Sequence, residues 1–370
     1  MIHMNRLTPA ILFVLAVVSC QPRKPVVRDT IPYVKQLAAD TAETYPLLQS
    51  YRSEGAKGSI ALIGEPEACL PLAERFLTTD LVDNVDGKLR RDDLPDFAGE
   101  TFDVIMDQYN APYIRMAAAS PDSLREVAVR NAMMALDSVA YSNALDPGSR
   151  LRKTRAKVFV LASSFLAEYG CFDIDTLLKM AGREALIVTQ VDAMLDAAER
   201  EGCKRVAVWA PAQAKPAYDA AAKEYDLDVT VVSTVGNGIL RPAFRDMLRL
   251  YKEVHPDGVL DAVLLDSFTP DLEELNAEKD HIHRQITEED MGFDSILAPN
   301  FRFIQPAPSL TDACYRLLRA RNLFTHNIAY PAARYYRTEE DWDGSFVLVE
   351  IGANYLSAAV NPTPYVPDFD

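Results

Sequence analysis

Cysteine is scarce in this chain, and what there is falls into no metal pattern. Of the five cysteines, Cys20 stands alone near the start, while Cys69, Cys171, Cys203 and Cys314 follow with no C-x-x-C pair and no paired histidines. That spacing excludes the usual zinc sites, and no metal is expected. Cys69, Cys203 and Cys314 each lie on or beside an apolar helical face, where a thiol behaves as a small buried hydrophobe. In an oxidising compartment the four later thiols would still allow a disulfide of unspecified pairing. Histidine is as thin, at His3, His255, His281, His283 and His326. None stands beside a glycine-framed serine, and there is no G-x-S-x-G, which excludes the common serine-hydrolase arrangement. His281 and His283, two apart, point to different sides of a helix and are expected to be solvated. P-loop and G-x-G-x-x-G fingerprints are also missing, so no nucleotide site and no cofactor is expected. Positive charge is short: 38 Lys and Arg stand against 54 Asp and Glu, for a net charge of −16. That balance argues against nucleic acid or an anionic membrane surface as a partner.

What is present begins with a leader. Arg6 precedes a short apolar run, Ala10 to Val18, and then Ser19 and Cys20. The run is too short for a spanning helix and suits a secretory signal over 1–19. Its small-residue approach to a lone cysteine resembles the lipobox of bacterial lipoproteins, which implies lipidation of Cys20 and a bacterial cell envelope location, periplasmic or cell-surface. Loss of the leader removes Arg6 and no acid, taking the net charge from −16 to −17. Membrane association is therefore expected through the lipid alone. Residues 20–47 read as a proline-broken, basic tether running into a first helix.

The stretch from Lys157 to Ser233 carries the clearest pattern. KVFVLASS, ALIVTQ, KRVAVWAP and LDVTVVS are apolar strand-like runs separated by helix-like segments such as VDAMLDAAEREG. This alternation predicts an open α/β sheet. GSIALI (58–63) reads as an earlier strand, with a helix after Gly64-Glu65-Pro66, and DAVLL (261–265) as a later one. The economical architecture is two Rossmann-like lobes with open, mostly parallel sheets and an interlobe cleft. An N-terminal lobe is expected over 48–190 and a C-terminal lobe over 191–300, with a returning helix and strap-like tail over 301–370. Within the first lobe, 80–113 is rich in Asp, Gly and Pro and reads as a polar loop insertion. Asp83, Asn84, Asp86 and Gly87 share residue types with a calcium loop but not its spacing. Phe102, Ile105, Met106 and Tyr109 recur at helical period, and Pro121 opens a helix expected to reach about Asn143.

Three polar clusters fall at expected strand C-termini: Gly64-Glu65, Ser163-Ser164 and Asp266-Ser267. Ligands of open α/β sheets bind at that edge. The candidate ligand-binding residues are therefore Glu65, Ser163, Ser164, Asp266 and Ser267, and no catalytic set is recognisable among them. Serines and acids favour an amine or sugar hydroxyls over a bare anion. ALIVTQVDAMLDAAEREGCKRVAVWAP resembles the crossover region of type I periplasmic binding proteins. The same passage is similar, more weakly, to the aspartate/glutamate racemase superfamily. That second resemblance would lay the family's Cys-Asn-Thr on Ser163-Ser164-Phe165 and its Gly-Cys-Thr on Leu265-Asp266-Ser267. Neither thiol is present, so two-base chemistry would need other groups. The expectation is an envelope lipoprotein that binds a small amino acid- or sugar-like solute without catalysis. The alternatives are an enzyme on the racemase-like fold with non-cysteine groups, and a surface-structural lipoprotein.

Overall fold

The computed structural model describes residues 28–51, 55–234, 239–325, 327 and 329–352. The leader with Cys20, His3, His326 and residues 353–370 lie outside the described residues. Among the described residues twelve strands form two sheets. The large one takes β1 (Ser59–Gly64), β2 (Thr101–Met106), β3 (Val139–Tyr141), β4 (Arg150–Arg152), β5 (Ala156–Leu161), β6 (Ile187–Thr189), β11 (Ala332–Glu340) and β12 (Phe346–Glu350). Its order is β4-β3-β12-β11-β2-β1-β5-β6. The small one takes β7 (Arg205–Trp209), β8 (Asp228–Val232), β9 (Leu260–Leu265) and β10 (Leu297–Ile304), in the all-parallel order β10-β9-β7-β8. The helices are α1 (Pro32–Leu37), α2 (Tyr45–Ser50), α3 (Pro66–Thr78), α4 (Tyr113–Ala119), α5 (Pro121–Leu136), α6 (Ser164–Tyr169), α7 (Cys171–Met180), α8 (Gln190–Arg200), α9 (Lys215–Ala221), α10 (Leu240–Val254), α11 (Leu272–Ile282), α12 (Glu288–Asp294) and α13 (Pro306–Ala320). Two Rossmann-like α/β lobes result.

The central strands are apolar on both faces because helices cover both. In β1 and β5, Ala61, Ile63, Phe159 and Leu161 pack to one side, with Ile60, Leu62, Val158 and Val160 to the other. Continuous apolar runs of this kind suit parallel strands buried on both sides. The first of these layers does not stop at the lobe boundary. It continues into Val206, Val208, Ala262 and Leu264 of the small sheet, so the lobes share one apolar core. The chain leaves the large sheet through α8 and returns through α13, which pack on each other. Arg200 and Arg316 each pair with both Asp196 and Asp312 along that contact.

Three expectations are corrected here. Phe102, Ile105 and Met106 lie on a strand, β2, with β1 on one side and β11 on the other. A short apolar run fits either period, and its two parallel neighbours decide the outcome. Within the tail, residues 332–350 are not a strap, since β11 enters the large sheet beside β2 and β12 pairs antiparallel to it. Gly99 makes room for that return: at φ +79° it bonds Ala329 O, and a Cβ there would lie 2.2 Å from Asn327 O. The helix from Pro121 ends at Leu136, and the chain then forms the β3–β4 hairpin.

The strand N-termini of the large sheet carry buried ion pairs. Lys157 Nζ lies 2.7 Å from Glu100 Oε2 and donates to the carbonyls of Ala56 and Leu323. Lys153 Nζ lies 3.5 Å from Asp103, which also accepts from Ser59 Oγ at 2.6 Å. Burial pushes both carboxyls upward, and the lysines oppose it. Removing one partner leaves a buried charge uncompensated. Lys157→Ala is therefore expected to cost about 3–5 kcal/mol in urea unfolding, whereas Lys157→Met combined with Glu100→Gln should recover most of it. Equal losses in the single and double variants would refute the pairing argument.

Candidate active site

The C-terminal ends of β1, β5 and β9 open into one cleft of about 440 Å3 between the lobes. Glu65, Ser163, Ser164, Asp266 and Ser267 all line it, together with Glu67, Gln190 and Thr269 and the apolar Ile114, Phe165 and Phe268. The strand ends approach closely: a Cβ on Gly64 would lie 3.0 Å from Ala162 O. Glycine at that position lets β1 and β5 deliver Glu65 and Ser163 to neighbouring points on the rim.

Asp266 follows β9 and is held from both lobes. Its Oδ1 accepts from Tyr218 Oη at 2.6 Å and Gln190 Nε2 at 2.9 Å, and its Oδ2 from Ser164 Oγ at 2.9 Å. Tyr218 belongs to α9 of the small lobe, Ser164 to the first turn of α6 in the large one, and Gln190 to the start of α8 between them. Gln190 also donates to the Asp266 carbonyl at 2.6 Å. With two donors on Oδ1 and one on Oδ2, a lone pair of Oδ2 remains for a ligand. Burial pushes this carboxyl up to about 6, against the three donors that favour the ionised form.

Glu65 faces the same cleft from the N-cap position of α3, followed by Pro66 at the first helical position. Its Oε1 accepts the Tyr113 N–H at 2.9 Å, and no donor among the described residues reaches Oε2. Burial pushes it up to about 7, the Tyr113 N–H opposes this, and Glu67, Asp107 and Asp266 add to it. Tyr113 ties this group to a second layer: its Oη donates to Asp107 Oδ2 at 3.0 Å. Asp107, fully buried after β2, also accepts from Asn131 at 2.8 Å and from Thr338 and Asn110 at 2.7 Å. Thr338 comes from β11, so the returning tail completes the back wall of the site.

Ser163 caps α6 by accepting the Phe165 N–H at 3.2 Å, which leaves its hydroxyl proton available to the cleft. Ser267 forms a turn, accepting the Thr269 N–H at 3.3 Å, and helps place Asp266 beside it. The cleft lining carries three carboxyls and no Lys, Arg or His. Such a lining suits neutral or cationic groups. A carboxyl ionised near pH 6 and another still protonated toward pH 7 make an acid–base couple at physiological pH.

Sequence reasoning missed Gln190, Tyr218, Tyr113 and Asp107. Gln190 directly follows the strand-like ALIVT and obeys the strand-end rule that located Ser163. Asp107 follows β2, which reads as helix by period. Tyr218 lies within α9, where nothing local distinguishes it from a core tyrosine. At the 80–113 segment, Asp83 and Asp86 pair with Arg90, and Asp83 accepts the N–H groups of Val85 and Asp86. No cluster able to hold a metal occurs among the described residues. His283 bonds Asp294 at 2.5 Å on the surface, and it is not among the residues lining the cleft.

The raised Glu65 carboxyl has a consequence for stability. A carboxyl that binds its proton more tightly when folded destabilises the folded state progressively as pH rises from 4.5 through about 7. Glu65→Gln keeps the acceptor for Tyr113 and removes that penalty. It is expected to raise urea stability at pH 8 by about 1–3 kcal/mol and to leave it unchanged near pH 4. A loss at pH 8 would show that the group is held as a stabilised anion.

No family model matches the chain, and no curated protein does. Solved structures do. Glutamate racemase from Francisella tularensis, in complex with D-glutamate, is 13% identical, with 78% of this chain and 91% of that chain covered and a TM-score of 0.47. Glutamate racemase RacE1 from Bacillus anthracis is 12% identical, covering 76% and 89% at a TM-score of 0.46. Picrophilus torridus aspartate racemase is 15% identical, covering 72% and 95% at 0.38. The likeness is one of fold, and of the two sequence resemblances it accords with the racemase one rather than the periplasmic binding protein one. The expectation of a non-catalytic solute binder, not an enzyme, is corrected by this comparison: the similar solved structures are racemases and arylmalonate decarboxylases, which are enzymes. Strand-end serines and acids serve binding and catalysis equally, so the residue pattern alone had no means of separating the two.

Proposed function

We propose that this chain is an enzyme that transfers a proton to and from a small neutral or cationic polar substrate held between the lobes. The observation that carries the reading is the pair of carboxyls, one from each lobe, that share a cleft without a counter-cation and titrate near neutrality. Asp266, the more acidic of the two, acts as base through the open lone pair of Oδ2. Glu65 remains protonated to higher pH and acts as acid through Oε2. Ser163, Ser164 and Thr269 supply hydroxyls that orient substrate hydroxyl or amine groups. On this reading the side chains stand in for the thiols of the racemase pattern, and the reaction class is proton abstraction and return at an acidified carbon.

The test is solvent exchange. Amino acids, amino acid amides and hydroxy ketones, whose C–H beside a carbonyl group is acidified, are incubated with the protein in D2O, and deuterium uptake at carbon is read by mass spectrometry. Asp266→Asn and Glu65→Gln should each slow uptake by about 10²- to 10⁴-fold. The pH profile of the wild type should be bell-shaped, with its rising limb near 6 and its falling limb near 7. Tyr218→Phe removes a donor to the Asp266 carboxylate and should move the rising limb to higher pH. Exchange that survives both carboxyl substitutions would sink the proposal, as would its absence with every substrate class.

For the leader we propose a lipid anchor at Cys20 in a bacterial envelope, supported by the run from Arg6 to Cys20. Among the described residues no helix is long and apolar enough to cross a membrane. Cys20→Ser should move the protein from the membrane to the soluble fraction, and retention at the membrane would end this reading.

A further inference from the structure

A second cavity, of about 310 Å3, lies beside the cleft and is lined by the C-terminal half of α3, the start of α13 and Phe268. Phe268 lines the main cleft as well, so a single side chain on the loop after Asp266 stands between the two spaces. Their chemistry differs in sign. The cleft lining has carboxyls and no cation, whereas Arg75 lines the second cavity.

Arg75 is half-buried, and its Nε is withdrawn from solvent with no hydrogen-bond partner. No carboxylate among the described residues pairs with it. Arg125 grips Asp173, Arg245 grips Glu278 and Asp290, and Arg316 grips Asp196 and Asp312, while Arg130 and Arg183, whose Nε atoms are also unpartnered, donate through their terminal nitrogens to Asn110 Oδ1 and the Gln49 carbonyl. A guanidinium held at a cavity wall is a fork of donors that matches a carboxylate or another oxyanion. Gln305 adds an amide to the same wall, and its side chain makes no capping bond to α13. The first turn of that fifteen-residue helix carries no acid, so its partial positive charge is not neutralised from within. Glu74 is the one acid in the lining, and it is exposed to solvent.

We propose that this second cavity is an anion subsite, centred on Arg75, that receives the oxyanion end of an elongated substrate whose reacting end lies between Glu65 and Asp266. This rests on the proton-transfer reading of the cleft. It extends that reading to a bipartite substrate, with a neutral or cationic reacting end and a distal carboxylate or comparable oxyanion passing the Phe268 ring.

The experiment has two arms on the full chain. In the first, sulfate and glutarate are titrated against the wild type at low ionic strength by calorimetry. Both should bind, Arg75→Gln should weaken binding about tenfold or more, and Arg75→Lys, which keeps the charge but loses the donor fork, should weaken it less than Arg75→Gln. Glu65→Gln should leave it unchanged. Circular dichroism melts establish that each variant is folded, and Gln305→Ala, which removes a donor without touching the charge, should weaken binding to a lesser degree. In the second arm, ω-amino acids of increasing length are compared with monoamines of the same length. The amino acid should bind more tightly than its matched amine at one chain length, and Arg75→Gln should abolish that advantage. Anion binding that is insensitive to Arg75, or lost equally in Glu65→Gln, overturns the proposal, as does the absence of any length-dependent advantage. A failure of solvent exchange with intact Arg75-dependent anion binding would instead count against the chemistry proposed for the cleft and leave the subsite standing.

Discussion

Asp266 leaves the end of β9 in the small lobe and accepts the Ser164 hydroxyl from the large lobe, the Tyr218 hydroxyl from its own, and the Gln190 amide from the helix that joins them. Three elements that are far apart in sequence thus converge on one carboxylate. That convergence sets the relative placement of the lobes at the point where a ligand would enter. It also sets the proton affinity of the group, since burial favours the acid and each of the three donors favours the anion. The shared apolar core through Val206, Val208 and Leu264 holds the same lobes together without directional preference. The hydrogen bonds supply the direction.

Buried charge is treated differently at the N-terminal ends of the large sheet and at the C-terminal strand ends of the two sheets. At the N-terminal ends, Glu100 and Asp103 are deeply buried and each is matched to a lysine, Lys157 or Lys153. At the C-terminal ends, Glu65 and Asp266 have no cation and are supported only by neutral donors. Matched charges give a stable, inert end. Unmatched carboxyls give an end where protonation changes near physiological pH, at some cost in stability. The couple at the cleft is thus a property of arrangement rather than of residue type, because the same two residue types occur in both places.

Much of the α/β pattern was legible in the sequence because apolar runs of four to six residues, each followed by a small or polar residue, have few other uses. The strand-end rule placed Glu65, Ser163, Ser164, Asp266 and Ser267, and the structure puts all five on one cleft. The rule failed at Asp107 and at the tail for a common reason. TFDVIM fits both a strand and a helical period, and AARYYRTEE has no apolar face; both become strands by pairing with one another across 231 residues of chain, as Thr338 bonding to Asp107 illustrates. No local pattern encodes a partner so distant.

The residues themselves determined an acidic net charge, alternating strands and helices, and the absence of C-x-x-C, G-x-S-x-G and nucleotide-loop patterns. Those follow from composition and short-range spacing. Only the tertiary structure decided that β11 enters the centre of the large sheet, that Tyr218 and Gln190 reach Asp266, and that Arg75 lines a second cavity with no carboxylate among the described residues paired to it. Each of these depends on burial and on neighbours brought together by folding, and burial, through desolvation, is what turns ordinary carboxyls into groups that hold a proton near neutral pH.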